Sequence, residues 1–365
     1  MSALAMAVLI NSGPMRDRGR LTAPGDLLHG ALLAPEPDAL TGRDEGNQSL
    51  ADLAARYGLG PSSARPGLAP YLKLVWQRRH FIVAYATARN VSMYTEARLG
   101  QLWQVLTPLL NSAVYYLIFG IIFQADRGIA HYTAYLVTGV FIFSFTERSI
   151  VVGSNAIRAN ITLIRALHFP RACLPLAYVL VEFQQLLLSL LVVFAIVLGT
   201  GEPLTWYWLL LLPALLLQGM FNMGAALIMA RLGAGAQDFS QLIPFLTRVW
   251  RYFCGVMYSI TSLPSYATLP PWAKDLISLN PAAVYISLAR YALMYTQRAY
   301  APGAKPYNAA ACALFNAKKI PALQAYCHPT TTISELWLAG IGWAVVTLVA
   351  GVVYFWRAET QYGRG

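Results

Sequence analysis

The sequence predicts an all-α integral membrane protein with six transmembrane helices. Three observations carry that expectation. Only 12% of the 365 residues are charged and 57% are hydrophobic, against ~25% charged in a soluble domain. The apolar residues gather into runs of about twenty, enough to cross a ~30 Å hydrocarbon core at ~1.5 Å per residue. The basic residues are shared unevenly between the connections, as orientation in a membrane requires. The net charge of +11 is therefore read as orientation rather than as a nucleic-acid footprint.

Residues 1–69 are rich in Pro, Gly, Ala, Asp and Arg and show no sustained apolar period. They read as a disordered cytoplasmic tail, with Leu50–Tyr57 as a transient amphipathic helix. Residues 1–10 lack a basic n-region and a clear cleavage site, so they read as tail rather than as a cleaved leader. Residues 70–100 form the next unit. In Tyr71–Thr95, Lys73, Arg78, Arg79 and Arg89 alternate with Leu72, Val75, Trp76, Phe81, Ile82 and Tyr85. That pattern suits an amphipathic helix lying in the interface plane. Residues 101–365 hold the six-helix domain, with an extracytoplasmic segment at 296–334.

The expected spans are Leu102–Phe123, Tyr132–Thr146 (continuing past the membrane face), Leu174–Leu198, Trp206–Ala230, Leu242–Ser259 and Leu336–Trp356. Trp103, and Trp206, Tyr207 and Trp208, sit where aromatic belts form. Arginines of the N-terminal region, Arg148–Arg171, Arg231, Arg357 and Arg364 fall on one side. The positive-inside rule makes that side cytoplasmic, with both termini inside and the chain in the plasma membrane. Cys312 and Cys327 then lie outside, where a bridge closing a loop of about fifteen residues would add ~3 kcal/mol. Two unpaired thiols are the alternative.

There is no G-x-x-x-x-G-K-[ST], H-E-x-x-H, C-x-x-C or G-x-S-x-G, and the 5 histidines are scattered. Nothing nominates a nucleophile, a metal site or a bound cofactor. If ATP drives this protein, another chain binds it.

Three patches remain. In Glu96–Trp103, Gly100 allows a sharp turn between interface helix and first span, and Arg98 meets either an anionic headgroup or a phosphate. Gly153–Pro175 is basic with an apolar face, fit either to dock on a partner or to fold back on its own bundle. Phe239–Tyr295 is cut by prolines and crowded with aromatics, which suits either sugar stacking or an aromatic belt. Arg248 and Arg251 add costly charge at membrane depth.

These patches, in this order, resemble the permease subunit of the polysaccharide ABC exporters of O-antigen, teichoic acid and galactan. The marks are Leu99-Gly100-x-x-Trp103 with Pro108, Asn160-x-x-Leu163-Ile164 with Phe169-Pro170-Arg171 and Leu174-Pro175, Asp238, and Asn280-Pro281 followed by Arg290. In detail the chain looks most like the actinobacterial cell-wall galactan exporter. The resemblance implies a permease homodimer with two copies of an ATPase subunit, which holds ATP and Mg. The cargo is a polyprenyl-pyrophosphate-linked polysaccharide. Arg98, Leu99, Gly100 and Trp103 become a lateral gate for its lipid-pyrophosphate end. Asn160, Leu163, Ile164, Leu167, Phe169, Pro170 and Arg171 become a coupling helix on the ATPase. The 260–295 pieces become outer gate helices. Asn111, Ser112, Tyr115 and Tyr116, with Trp250, Tyr252, Phe253 and Tyr258, become walls of a sugar path. Gln237 stands where the family often carries an arginine, and Tyr300–Thr332 looks like an insertion. The rival readings are a lipid or drug exporter permease and a membrane glycosyltransferase or ligase. A transferase needs acids at the membrane face, and Glu96, Glu147, Glu182, Asp238 and Asp275 show no paired arrangement.

Overall fold

The computed structural model describes residues 67–94, 98–123, 131–167, 169–258, 276–277, 279–294 and 333–359. The tail apart from 67–69, the Leu50–Tyr57 helix, Glu96, most of the 260–280 gate pieces and the Cys312–Cys327 bridge lie outside these residues. So does the 296–334 segment apart from its last two positions.

Every regular element among the described residues is helical. Helix α1 is Leu68–Gln77 and α2 is Arg79–Ser92. A short turn at Gly100–Leu102 leads into α3, Trp103–Tyr115, which continues as a wider helix over Tyr116–Ile122. Helix α4 is Tyr132–Asn155, α5 is Ile161–Ala166 and α6 is Cys173–Gly199. A turn at Trp206–Leu210 opens α7, Leu211–Gly235. Then come α8, Gln237–Phe253, α9, Pro281–Leu293, and α10, Ile333–Arg357.

Among the described residues, five helices are long and apolar enough to cross a membrane: Trp103–Ile122, Tyr132–Asn155, Cys173–Gly199, Trp206–Gly235 and Ile333–Arg357. The chain is a multi-pass membrane protein. The remaining expected span, Leu242–Ser259, begins earlier and ends earlier as α8, whose 17 residues carry polar groups at their start. Yet α8 and the turn after it run the length of α4. Ser240 bonds the Ser154 carbonyl at one end, and the Met257 carbonyl accepts from Tyr132 at the other. The single interface helix is also corrected: it breaks into α1 and α2 at Arg78, which bonds back to Leu74 and Val75.

The bundle is built around α4. Its mixed apolar surface is buried on nearly every side, against α3, α6, α7, α8 and α9. Lipid offers no hydrophobic drive between spans, so close packing must hold them together. The α7–α10 contact shows this. A Cβ on Gly224 would fall 2.3 Å from the Thr347 backbone, so only glycine allows that approach. Spans α3 and α10, at the margins, leave most of their surface exposed.

Helix α9 begins inside the bundle. Asn280 caps it, accepting from Ala282 N–H, and Pro281 occupies its first position, where a missing N–H costs nothing. Trp250 Nε1 donates to Asn280 at 3.1 Å, and Trp343 Nε1 donates to the Leu279 carbonyl at 2.8 Å. From there α9 returns to the beginning of α4. Backbone interrupted at this depth needs internal partners. Arg290 supplies them: its buried guanidinium donates to the Tyr135, Gly255 and Val256 carbonyls.

Candidate functional site

At the expected gate, Gly100 has a φ of 50°, the left-handed region that favours glycine. The turn it permits brings α3 off the end of the α2 connection. Arg98 and Leu99 are exposed, and Trp103 is 40% exposed. Behind them, Gln104 is buried and donates to Asn90 Oδ1 at 3.0 Å. Burial raises the Tyr94 phenol above its ordinary value, with Arg148 opposing and Glu182 adding to the rise. The Gly100 turn therefore abuts charged groups of α4 and α6.

The residues expected to wall the sugar path separate into two sets. Asn111, Tyr116, Tyr252 and Phe253 are exposed. Ser112 is buried and donates to the Pro108 carbonyl at 2.8 Å, and Trp250 turns inward to Asn280 and Phe143. Tyr258 donates to the Tyr252 carbonyl. Ser112 and Trp250 thus turn their polar atoms to internal partners. Tyr115 accepts from Arg251 at 2.6 Å. Arg251 in turn forms an ion pair with Glu147, and Phe143 lies beneath its guanidinium. This joins α3, α4 and α8 through one partly buried charge pair. The sequence reading saw both charges but not their meeting, since 104 residues separate them.

On the other side of α3 lies a cleft between α3, α4 and α6. Pro108, Phe141, Ser144, Phe145, Arg148, Glu182, Gln185, Leu186 and Ser189 line it. Arg148 donates to Gln185 Oε1 at 3.2 Å. Gln185 Nε2 reaches Asn90 Oδ1, the acceptor that Gln104 also uses. The cleft is thus continuous in bonding with the gate. Arg148, Gln185 and Ser189 carry no local signal in the sequence, because only the packing of α4 against α6 brings them together.

The coupling segment is shorter than expected: a helical turn at Arg158–Asn160 and then α5. Asn160 and Ile164 are buried within the chain's own bundle. Asn160 accepts from Tyr85 at 2.7 Å and donates to Tyr178 at 2.9 Å. Phe169 packs on Phe81 at 5.4 Å. Arg171 turns to Glu359, its backbone N–H on Oε1 at 2.9 Å and its guanidinium on the carbonyl. Pro170 is half-buried. Of this set Leu167, at 51%, presents the most apolar surface, and Leu163 is half-buried.

Glu359 gathers this end of the molecule. Tyr71 donates to its Oε2 at 2.8 Å, and the Ala172 N–H bonds the Tyr71 oxygen. Burial raises the Glu359 carboxyl above its ordinary value, while the Arg171 and Tyr71 bonds pull it back.

Similarity to known proteins covers more than half of the chain. The chain is 29% identical over 195 residues to the O-antigen export system permease protein RfbA of Klebsiella pneumoniae, covering 53% of this chain and 72% of that protein. It is 24% identical over 238 residues to the protein of the same name from Myxococcus xanthus, covering 65% and 88%. The ABC-2 type transporter family matches residues 82–294, from the interior of α2 to the end of α9. That is more than half of the sequence, and the chain belongs to the ABC-2 type transporter family.

Proposed function

We propose that this chain is the permease subunit of an ATP-driven polysaccharide exporter, with a polyprenyl-pyrophosphate-linked polymer as cargo. The observation that carries the reading is the similarity to O-antigen export permeases over 195 and 238 residues, beside a family match over residues 82–294 that takes in the Gly100 turn, the cleft and α9. Cell-wall galactan is the cargo favoured by the resemblance of the sequence. The chain carries no P-loop, so ATP and Mg belong to two copies of a separate ATPase.

The structure supports several parts of this reading. The α8 segment follows α4 from end to end, which favours a sixth crossing. Leu242, Phe245, Leu246, Val249, Tyr252 and Phe253 form an exposed stripe along α8, and Leu110, Val114 and Leu117 another on α3. Those stripes favour a second copy across a shared path, as a homodimer with both termini cytoplasmic in the plasma membrane. On α1, exposed Leu72, Leu74 and Trp76 beside Arg79 suit a helix at the lipid surface. A lipid or drug exporter has less use for the polar groups behind the gate.

Depletion of the protein followed by sugar analysis tests the proposal. Lipid-linked polymer is expected to accumulate inside the cell, and its composition identifies the cargo. Normal export in depleted cells would end this reading. Coupling is tested separately: Leu167→Asp is expected to reduce copurification with the ATPase several-fold, and unchanged copurification would remove Leu167 from that contact.

A further inference from the structure

Among the described residues, no side chain or backbone group donates to the buried carboxylate of Glu182. It is 7% exposed and lines the cleft between α3, α4 and α6. Among the described residues it makes no hydrogen bond and no ion pair. A carboxylate at this depth costs several kcal/mol unless donors meet it. Arg148 and Arg89 act on it through space but do not bond it, and Arg148 spends one N–H on Gln185.

The surroundings select the class of ligand. An anion would meet Glu182, and a cation would meet Arg148 and Arg89. A neutral polyol suffers neither conflict, because its hydroxyls donate to the carboxylate and accept from guanidinium and amide N–H groups. Ser189 gives its proton to the Gln185 carbonyl, leaving oxygen lone pairs to accept. Phe141 and Phe145 supply apolar wall, as a sugar face requires. The cleft opens on one side, and its empty space of about 250 Å³ includes that open side, so a ring would sit at its mouth with one edge toward Glu182. The hydrogen-bonded run Gln185–Asn90–Gln104 places the cleft directly behind the Gly100 turn.

We propose that this cleft is a subsite for one neutral sugar ring of the polymer, with Glu182 accepting from its hydroxyls and Arg148 donating to it. The proposal rests on the polysaccharide-export reading. It places a sugar, rather than the charged pyrophosphate, as the group recognised behind the gate.

The probe is the oligosaccharide released by mild acid from the lipid-linked polymer that accumulates on depletion. Titrated into purified full-length protein, it is expected to bind the wild type. Glu182→Ala is expected to weaken binding about tenfold or more. The isosteric Glu182→Gln keeps the shape, so it carries the comparison if the alanine variant does not accumulate. It is expected to weaken binding by a smaller factor and to slow export, with membrane level and ATPase copurification unchanged. Equal affinity in wild type and Glu182→Gln, with normal export, overturns the subsite. Binding of phosphatidylinositol vesicles but not of the oligosaccharide overturns it too, assigning the cleft to lipid headgroups. Absence of any accumulated polymer on depletion overturns the export reading, a result distinct from failure of the cleft alone.

Discussion

Two carboxylates on neighbouring helices meet opposite fates. Glu147 and Arg148 are consecutive on α4, so they point to different sides of α3. On one side Glu147 finds Arg251, and Tyr115 completes the contact. On the other, Arg148 faces Glu182 across a cleft without closing on it. The first region holds three helices together. The second keeps a charge available at the cost of stability. Glu147 is 18% exposed and Glu182 7%, so the more buried carboxylate is the one without a partner, and burial alone does not tell a structural charge from a functional one. The presence of a partner does.

Breaking the first region should have the largest effect. Glu147→Ala and Arg251→Ala each strand a buried charge and are expected to cost about 3–5 kcal/mol. Thermal unfolding of the purified protein in detergent checks this. A double variant, Glu147→Gln with Arg251→Met, is expected to recover most of that loss. Tyr115→Phe removes a single bond to the guanidinium and should cost about 1.5–3 kcal/mol in the same assay. The second region should answer with the opposite sign. Glu182→Leu fills the cleft with apolar volume and should raise stability by about 1 kcal/mol while export falls. A loss of stability equal to that of Glu147→Ala would erase the distinction between the two carboxylates.

Glu359 gives the smallest and most graded test. Its folded carboxyl titrates above the ordinary value because burial dominates. Between the two values the folded protein holds a proton that the unfolded chain has lost. Stability should therefore fall as pH rises through the window that opens at the ordinary carboxylate value, and level off above the raised one. Melting temperatures across mildly acidic pH should show this slope in the wild type and not in Glu359→Gln.

The spans were legible because length and apolarity are local. Leu174–Leu198 became Cys173–Gly199, and Leu336–Trp356 became Ile333–Arg357. The break at Arg78 was not legible, since no proline or glycine marks it. Helix α8 was displaced because Gln237–Gln241 is polar yet helical, and hydropathy does not register polar turns. At the candidate site, residue types were readable but directions were not. Trp250, Asn160 and Ile164 face inward because of partners far away in sequence. Glu147 and Glu182 stood out as acids within apolar runs, and only tertiary contacts separate them.

The junction at Glu359 has a consequence for how the molecule is made. Tyr71 and Glu359 lie 288 positions apart, and synthesis runs from one to the other. Helix α1 emerges first, but its phenol has no carboxylate to hold until the last helix is in place. The Arg171 loop waits for the same group. A nascent chain therefore passes through a stage in which its spans are inserted but its basic face is still untied. Completion of α10 fastens two earlier segments at once, so a chain cut short before Glu359 lacks the tie that organises the face where the coupling segment sits.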